Sequence, residues 1–191
     1  PEKPAGAQDL EKDNEGRQHE KLFRSNTKTM KKVLFTLVLT LACLGMNAQT
    51  PLPKVYDESI DPLKQIEQTV SRASKNKKNI IVQLGGNWCI WCLRFADFIT
   101  KDAEIKTIID TNYEYIHVNI PRRGTPQYEA AAPLQKRLNN AGRFGYRVLV
   151  VRSPSGKVLH IQDSSFLESG NSYDQAKVLR FLKNWTPEAV K

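Results

Sequence analysis

Apolar and polar positions alternate in two different ways along the second part of the chain. Short apolar runs between turn-forming residues predict buried strands, whereas apolar residues spaced three or four apart predict amphipathic helices. We therefore predict the element order αβαβαββα, with no internal repeat. The predicted helices span about residues 61–75, 89–100, 128–140 and 174–185, with a shorter helical piece at 102–110, and the predicted strands span 80–84, 113–119, 147–151 and 157–161.

The N-terminal quarter has a different pattern. Residues 1–29 are polar and lack apolar periodicity, which is typical of a disordered segment or an upstream leader. Two lysines then precede the apolar run 33–42, which is too short to span a bilayer but has the length of a signal-peptide core. We predict a leader at 1–29, a signal peptide at 30–48 that starts at Met30 and is cleaved after Ala48, an extended linker at 49–59 and a folded domain at 60–191.

Other interpretations of the apolar run stay open. It could be a buried helix of the domain or an uncleaved anchor. The sequence Thr40-Leu41-Ala42-Cys43 also loosely matches a bacterial lipoprotein box, in which case the protein is lipid-anchored through Cys43. Without that anchor, the expected location is the bacterial periplasm or the outside of the cell, with membrane contact only through the signal peptide.

The most informative motif is Trp88-Cys89-Ile90-Trp91-Cys92, which follows the predicted strand 80–84 and opens a predicted helix. Thiols three residues apart on one helical turn are close enough to form a disulfide. The first thiol also faces unpaired backbone N–H groups and the positive end of the helix dipole, both of which stabilise a thiolate. After signal cleavage these two cysteines are the only ones in the chain, which favours a redox-active pair over a disulfide scaffold.

The distribution of charge and the positions of the histidines argue against a nucleic-acid, zinc or haem site. The chain has a formal net charge of +9, but its Lys and Arg residues are scattered, so we predict a solvated surface and no nucleic-acid partner. Structural zinc needs four ligands, and His19, His117 and His160 lie far from the cysteine pair in sequence. A c-type haem site needs His after the second Cys, where this chain has Leu93. We therefore expect neither a metal nor a cofactor, and structural roles for His117 and His160.

From about residue 60 to residue 186 the chain resembles the thioredoxin family. The resemblance rests on the strand 80–84, the Trp88-Cys89-x-x-Cys92 motif, and the hairpin 148–161 followed by a terminal helix. Within the family it is most similar to exported thioredoxin-like proteins of Bacteroidetes-type bacteria. The resemblance implies an α/β thioredoxin fold with a central mixed β-sheet flanked by helices. It also implies that Cys89 is the attacking nucleophile, that Cys92 resolves the mixed disulfide, and that Trp88 lines the substrate groove.

Two positions depart from the family pattern. Arg147 stands where the family has a cis-proline beside the disulfide, and a non-proline cis bond costs about 2.5–4 kcal/mol, so we expect a trans peptide there. Arg147 either reaches toward the motif or points to solvent. Gln83 stands where the family often has a buried carboxylate, and an amide cannot act as a base near neutral pH. Trp91 is expected either to contact substrate or to pack against the stem of Arg94.

These features predict an exported thiol–disulfide oxidoreductase that reduces or isomerises protein or peptide disulfides and exchanges electrons with a further redox partner. The alternative is a catalytically weak thioredoxin-like protein-binding module, because both departures remove groups that assist turnover in the family.

The signal-peptide prediction can be checked directly on exported protein. N-terminal sequencing is expected to begin at Gln49, because Ala48 is the small residue before the predicted cleavage site. A protein that still begins at Pro1 would contradict this assignment.

Overall fold

The computed structural model of the protein describes residue 30 and residues 51–191. Residues 51–191 form one compact unit. The predicted leader, the predicted signal peptide apart from Met30, and Cys43 lie outside the described residues. Within the described part of the chain, no helix has both the length and the apolar character needed to cross a membrane.

Strands and helices alternate along most of the unit. The order is α1 (Pro62–Asn76), β1 (Asn79–Gly85), α2 (Ile90–Lys101), α3 (Ala103–Asn112), β2 (Tyr113–Asn119), α4 (Pro126–Ala130), α5 (Ala132–Arg137), β3 (Val148–Arg152), β4 (Val158–Asp163), β5 (Glu168–Ser169), β6 (Ser172–Tyr173) and α6 (Gln175–Asn184), with 3₁₀ turns at Ala141–Phe144 and Ser164–Leu167.

Strand β1 lies inside a mixed four-stranded sheet with the strand order β2-β1-β3-β4. It pairs parallel with β2 and antiparallel with β3, and β3 pairs antiparallel with β4. Every residue of β1 is buried, as expected for a strand covered on both faces.

The alternation of side chains along β1 builds two separate apolar layers, one on each face of the sheet. Ile80, Val82 and Leu84 face α1 and α5 in one layer. Ile81 faces α2, α3 and α6 in the other layer, whose largest fully buried side chain is Phe95. The predicted fold, a central mixed sheet flanked by helices, is confirmed.

The helix boundaries follow from local capping. Asp61, Asp102 and Asp174 each accept a hydrogen bond from a backbone N–H in the first turn of α1, α3 and α6. Pro62 occupies the first position of α1, where its missing N–H costs nothing. These signals are readable in the sequence, which is why the predicted starts of these helices lie within one residue of the observed ones.

The predicted helix at 128–140 is wrong in its extent. The segment is divided into α4 and α5, with Ala131 between them and Pro133 in the first turn of α5. Proline is tolerated there but not inside a continuous helix, since it lacks an N–H and clashes with the preceding turn. After α5, Asn139 and Asn140 both have a φ of 53°, which ends helical geometry.

Two further differences lie near the redox motif. The third strand begins at Val148, so Arg147 lies just before the strand and not within it. The short hairpin of β5 and β6 was not predicted, because strands of two residues have no recognisable periodicity.

Candidate active site

The cysteine pair lies where the central strand ends and α2 begins. Strand β1 ends at Gly85, a three-residue connection follows, and Cys89 is the N-cap residue of α2. The two cysteines form a disulfide with a Cα–Cα distance of 5.3 Å. Cys92 is 2% exposed and Cys89 is 9% exposed, so Cys89 is the more accessible of the two.

Helix geometry gives Cys89 a favourable environment for a thiolate. Its Sγ accepts a hydrogen bond from the backbone N–H of Cys92 at 3.3 Å. The N-terminal end of a helix carries a partial positive charge, which stabilises a negatively charged sulfur. This placement is the one that the sequence spacing predicts.

Gln83 lies directly beneath the motif and is 3% exposed. Its Nε2 donates to the Cys92 carbonyl at 2.8 Å, and its Oε1 accepts from the Tyr115 hydroxyl at 2.6 Å. The amide therefore ties β1, β2 and α2 together. It offers the second thiol no carboxylate.

The loop before β3 closes the site on the other side. The Tyr146 carbonyl oxygen lies 3.8 Å from Cys92 Sγ. No cis peptide bond occurs in residues 51–191, so the bond before Arg147 is trans, as expected. The segment that replaces the family's cis-proline thus still brings a backbone carbonyl to the second cysteine.

The two tryptophans of the motif carry cations on their faces. The Arg94 guanidinium lies 4.7 Å from the Trp91 ring centre, and that of Arg147 lies 5.6 Å from the same ring. Arg122 lies 5.2 Å above Trp88. A guanidinium in this position is attracted electrostatically to the electron-rich face of the ring.

Arg147 reaches the motif through Trp91. Its Nη1 donates to Glu168 Oε1 at 2.6 Å, and its side chain is 35% exposed. The guanidinium is therefore held between a carboxylate and an indole at the rim of the site, where a substrate could meet it. Trp91 contacts the guanidinium of Arg94. Packing against the stem of Arg94 is one of the two expectations for this residue.

Residues 51–58, expected as part of an extended linker, contribute to the site. They contain no helix or strand, yet Tyr56 is only 4% exposed and packs against Cys89, Cys92 and Leu93. Asn87 holds this segment, because its Oδ1 accepts from the backbone N–H groups of Val55 and Tyr56, each at 3.1 Å.

The histidine nearest the site does not act as a cation near neutral pH. The ring of His117 lies 5.4 Å from that of Tyr56, and burial lowers the pKa of His117 to about 4. Burial also raises the pKa of Tyr56 and of Tyr115 above the usual value for tyrosine. These polar groups are therefore neutral at physiological pH.

Within the described residues, no three His, Cys, Asp or Glu side chains are grouped so that they could hold a metal ion. The arrangement instead offers a dithiol–disulfide pair at a helix N-terminus. Such a pair can undergo thiol–disulfide exchange, for which a thiolate, a disulfide and an accessible path are sufficient.

Sequence reasoning missed the residues that support the pair from a distance. Tyr56, Tyr115 and Glu168 are brought to the motif only by tertiary structure, and the bonds from Asn87 to the Tyr56 segment also form only in the folded chain. Only Asn87 could have been found from the sequence, because it lies in the short loop between the strand and the first cysteine. The others lie 21 or more residues from the group that they contact, or in a segment predicted as linker.

Comparison with known proteins agrees with this geometry. A model of the family described as thioredoxin-like matches residues 61–148, which include the strand, the motif and the start of β3. The chain contains a thioredoxin-like domain. The predicted family is thereby confirmed, and the matched residues stop where the β3–β4 hairpin of this domain begins.

A solved structure shares the fold of the thioredoxin-like domain. A disulphide isomerase from Xylella fastidiosa Temecula1 superimposes with a TM-score of 0.59 at 17% identity, over 70% of this chain and 97% of that protein. A DsbH oxidoreductase is 19% identical over 73% of this chain and 92% of its own, with a TM-score of 0.46. Among proteins of curated function, none matches this sequence. At these identities the likeness concerns the fold.

Gly85 provides a test of the packing beneath the thioredoxin-like motif. A Cβ at this position would lie 2.6 Å from Cys92 Sγ and 2.7 Å from the Tyr56 hydroxyl oxygen. Gly85→Ala is therefore expected to lower the free energy of unfolding of the oxidised protein by about 1–3 kcal/mol, the usual cost of overpacking. Urea denaturation followed by circular dichroism measures this change.

A second variant separates overpacking from a general effect of losing glycine. In the Gly85→Ala background, Tyr56→Phe removes one of the two clashing atoms and should recover part of the lost stability. A Gly85→Ala protein as stable as the wild type would contradict the described packing.

Proposed function

We propose that the protein is an exported thiol–disulfide oxidoreductase that reduces or isomerises protein disulfides through Cys89 and Cys92. The observation that carries the proposal is the disulfide at the N-terminus of α2, with the more accessible sulfur at the helix cap. The thioredoxin-like fold and its likeness to a disulphide isomerase structure support it.

The first step uses the reduced form of the protein. The Cys89 thiolate attacks one sulfur of a substrate disulfide, a Cys89–substrate bond forms, and the second substrate sulfur leaves as a thiolate and takes up a proton. The partial positive charge at the start of α2 stabilises the attacking thiolate before the reaction.

The second step releases the substrate. The Cys92 thiol loses its proton and attacks Cys89 Sγ, which closes the internal disulfide and expels the remaining substrate thiol. Two electrons have then passed from the protein to the substrate. A dithiol partner must return them before the next cycle. In isomerisation the second step differs: the substrate thiolate freed in the first step attacks another disulfide of the substrate, and a substrate thiolate then attacks the mixed disulfide and releases Cys89 as a thiolate, so that no net electrons are transferred.

The proposed substrate surface surrounds the buried pair. Trp91 and Arg147 form one rim, and Trp88 forms the other, beside a groove lined by Pro121 and Arg122. Aromatic and arginine side chains dominate contacts at protein interfaces, which favours a peptide or protein substrate over a small molecule.

Export is proposed from the sequence alone. It rests on the lysines that precede the apolar run 33–42 and on Ala48 at the predicted cleavage site. Lipid anchoring through Cys43 remains the alternative for localisation.

The activity can be tested by the reduction of insulin with dithiothreitol as electron donor. The wild-type protein is expected to accelerate precipitation of the insulin B chain, and Cys89→Ser is expected to reduce the rate to that of dithiothreitol alone, since the attacking thiolate is lost. Cys92→Ser should instead accumulate a mixed disulfide, which non-reducing electrophoresis and mass spectrometry detect.

The same assay decides between the two candidate functions. The alternative, a catalytically weak thioredoxin-like binding module, is favoured by Gln83 in place of a carboxylate. Identical rates for the wild type and Cys89→Ser would reject the enzyme and leave the binding module.

The substrate surface is tested by comparing two substrates. Trp91→Ala removes an indole from the rim and is expected to lower kcat/KM for insulin by about tenfold, the effect typical of a central interface tryptophan. Reduction of hydroxyethyl disulfide, which is too small to reach the rim, should change by less than twofold. Equal losses with both substrates would show that Trp91 supports the motif and not the substrate.

A further inference from the structure

The Tyr56 hydroxyl is a buried polar group without an assigned role. Its oxygen is shielded from solvent and has no hydrogen-bond partner among the described residues. An unsatisfied buried hydroxyl destabilises a protein, because folding removes its water without replacing it. Phenylalanine at this position would bury the same ring without that cost.

The position of Tyr56 is nevertheless well determined. Asn87 binds the backbone of the 51–58 segment on both sides of the residue, since its Nδ2 donates to the Tyr56 carbonyl at 2.8 Å while its Oδ1 accepts from Val55 and Tyr56. Asn87 also donates to Glu58 at 3.1 Å. The loop that carries Cys89 therefore holds the segment that carries Tyr56.

The hydroxyl and the sulfur of the second cysteine face the same point in the structure, next to Gly85. A methyl group placed on Gly85 would touch both the Tyr56 oxygen, at 2.7 Å, and Cys92 Sγ, at 2.6 Å. The two atoms thus border the same small space, which only a glycine at position 85 leaves open. On its other side, Cys92 Sγ faces the Tyr146 carbonyl at 3.8 Å.

We propose that Tyr56 is a positioning residue for Cys92, which donates a hydrogen bond to the Cys92 thiolate when the disulfide opens. This inference rests on the proposed exchange reaction. Cys92 Sγ then has a suitable hydrogen-bond partner in each protonation state. The thiol can donate to the Tyr146 carbonyl, and the thiolate can accept from the Tyr56 hydroxyl.

Other polar groups near this point already have partners or carry no charge. Gln83 lies close enough to Tyr56 to oppose in part the rise in the phenol's pKa that burial causes. However, its Oε1 already accepts from the Tyr115 hydroxyl, its Nε2 donates to the Cys92 carbonyl, and it makes no hydrogen bond of normal geometry to the Tyr56 hydroxyl. His117 is neutral near pH 7, because burial lowers its pKa to about 4.

The charged and titratable groups on neighbouring elements are similarly occupied. Tyr173 of β6 donates to the Trp91 carbonyl at 3.0 Å, and Arg147 is paired with Glu168. Among the described residues the Tyr56 hydroxyl is an unpartnered donor that borders the space beside Cys92 Sγ; His117 Nε2 is also unpartnered, but no contact places it at that space.

The proton balance of the resolving step is consistent with this role. Burial keeps the phenol protonated near neutral pH, so Tyr56 donates and does not remove the Cys92 proton. That proton leaves to solvent or to the departing substrate thiolate, and the Cys92 thiolate that remains is stabilised by the hydroxyl. Tyr56 thereby favours ionisation of Cys92 by stabilising the thiolate, whereas a carboxylate at position 83 would act as a base.

The test is a stopped-flow reaction of the reduced full-length chain with Ellman's reagent, in a Cys43→Ser background. The first released thiolate reports attack by Cys89, and the second reports attack by Cys92 on the mixed disulfide. Tyr56→Phe is expected to slow the second phase by about tenfold, since hydrogen bonds to charged groups are among the stronger ones. The first phase should change by less than twofold, and the pH midpoint of the second phase should rise.

A redox titration gives an independent readout. Because the hydrogen bond forms only with the Cys92 thiolate of the reduced protein, Tyr56→Phe is expected, at a pH above the midpoint of the second phase, to shift the equilibrium with glutathione about tenfold toward the disulfide, which corresponds to a reduction potential lower by about 30 mV. The oxidised Tyr56→Phe protein should be at least as stable as the wild type, since it loses an unsatisfied hydroxyl.

Two control variants complete the experiment. Tyr113→Phe removes another buried tyrosine hydroxyl, one that is bonded to the Leu182 carbonyl away from the motif, and should leave both phases unchanged. Asn87→Ala releases the segment and should slow the second phase as Tyr56→Phe does.

The outcomes separate the two proposals. A second phase that is unaffected by Tyr56→Phe, or slowed equally with the first, would overturn the role of Tyr56. Absence of the first phase in the wild type would instead contradict nucleophilic Cys89, and the redox titration would still decide the role of Tyr56.

Discussion

Burial of β1 on both faces is the constraint on which the rest of the site depends. The strand is held by β2 on one side and β3 on the other, and each face is covered by its own apolar layer. Its register therefore cannot slip, because a shift by one residue would exchange the side chains of the two layers. After a three-residue connection, Cys89 caps α2, so the position of the cysteine pair is fixed by a strand that is buried along its whole length.

Polar side chains also hold the motif and its neighbouring segments in place. Gln83 points into the layer beneath α2 and binds the carbonyl of Cys92, and Asn87 ties the preceding segment to the loop. Each of these amides joins elements that are far apart in sequence. A buried polar network of this kind specifies one arrangement when its members are satisfied, and the Tyr56 hydroxyl is the member left without a partner in the oxidised protein.

Much of the fold was readable from local sequence. The apolar runs at 80–84 and 113–119 are dense enough to predict strands, and Asp61 followed by Pro62 marks a helix start by a capping interaction that does not depend on tertiary contacts. The pattern failed at 128–140, where residues at helical spacing surround Pro133 and two asparagines with positive φ, and where the local backbone preference overrode the periodicity. The pattern of apolar residues did not predict where residues 51–58 pack, because an extended segment without periodicity gives no indication of its contacts.

The sequence by itself determined where the disulfide-forming cysteines lie: one helical turn apart after a buried strand, with neither proline nor carboxylate at the neighbouring family positions. Spacing and residue type suffice for this, because the geometry of one helical turn is local. Only the tertiary structure decided what surrounds those cysteines. It placed Arg147 between Glu168 and Trp91, and it placed the Tyr56 hydroxyl and Cys92 Sγ around the same small space above Gly85. These contacts join positions separated by many residues, and they exist because packing of the two layers brings the segments together, which no local pattern records.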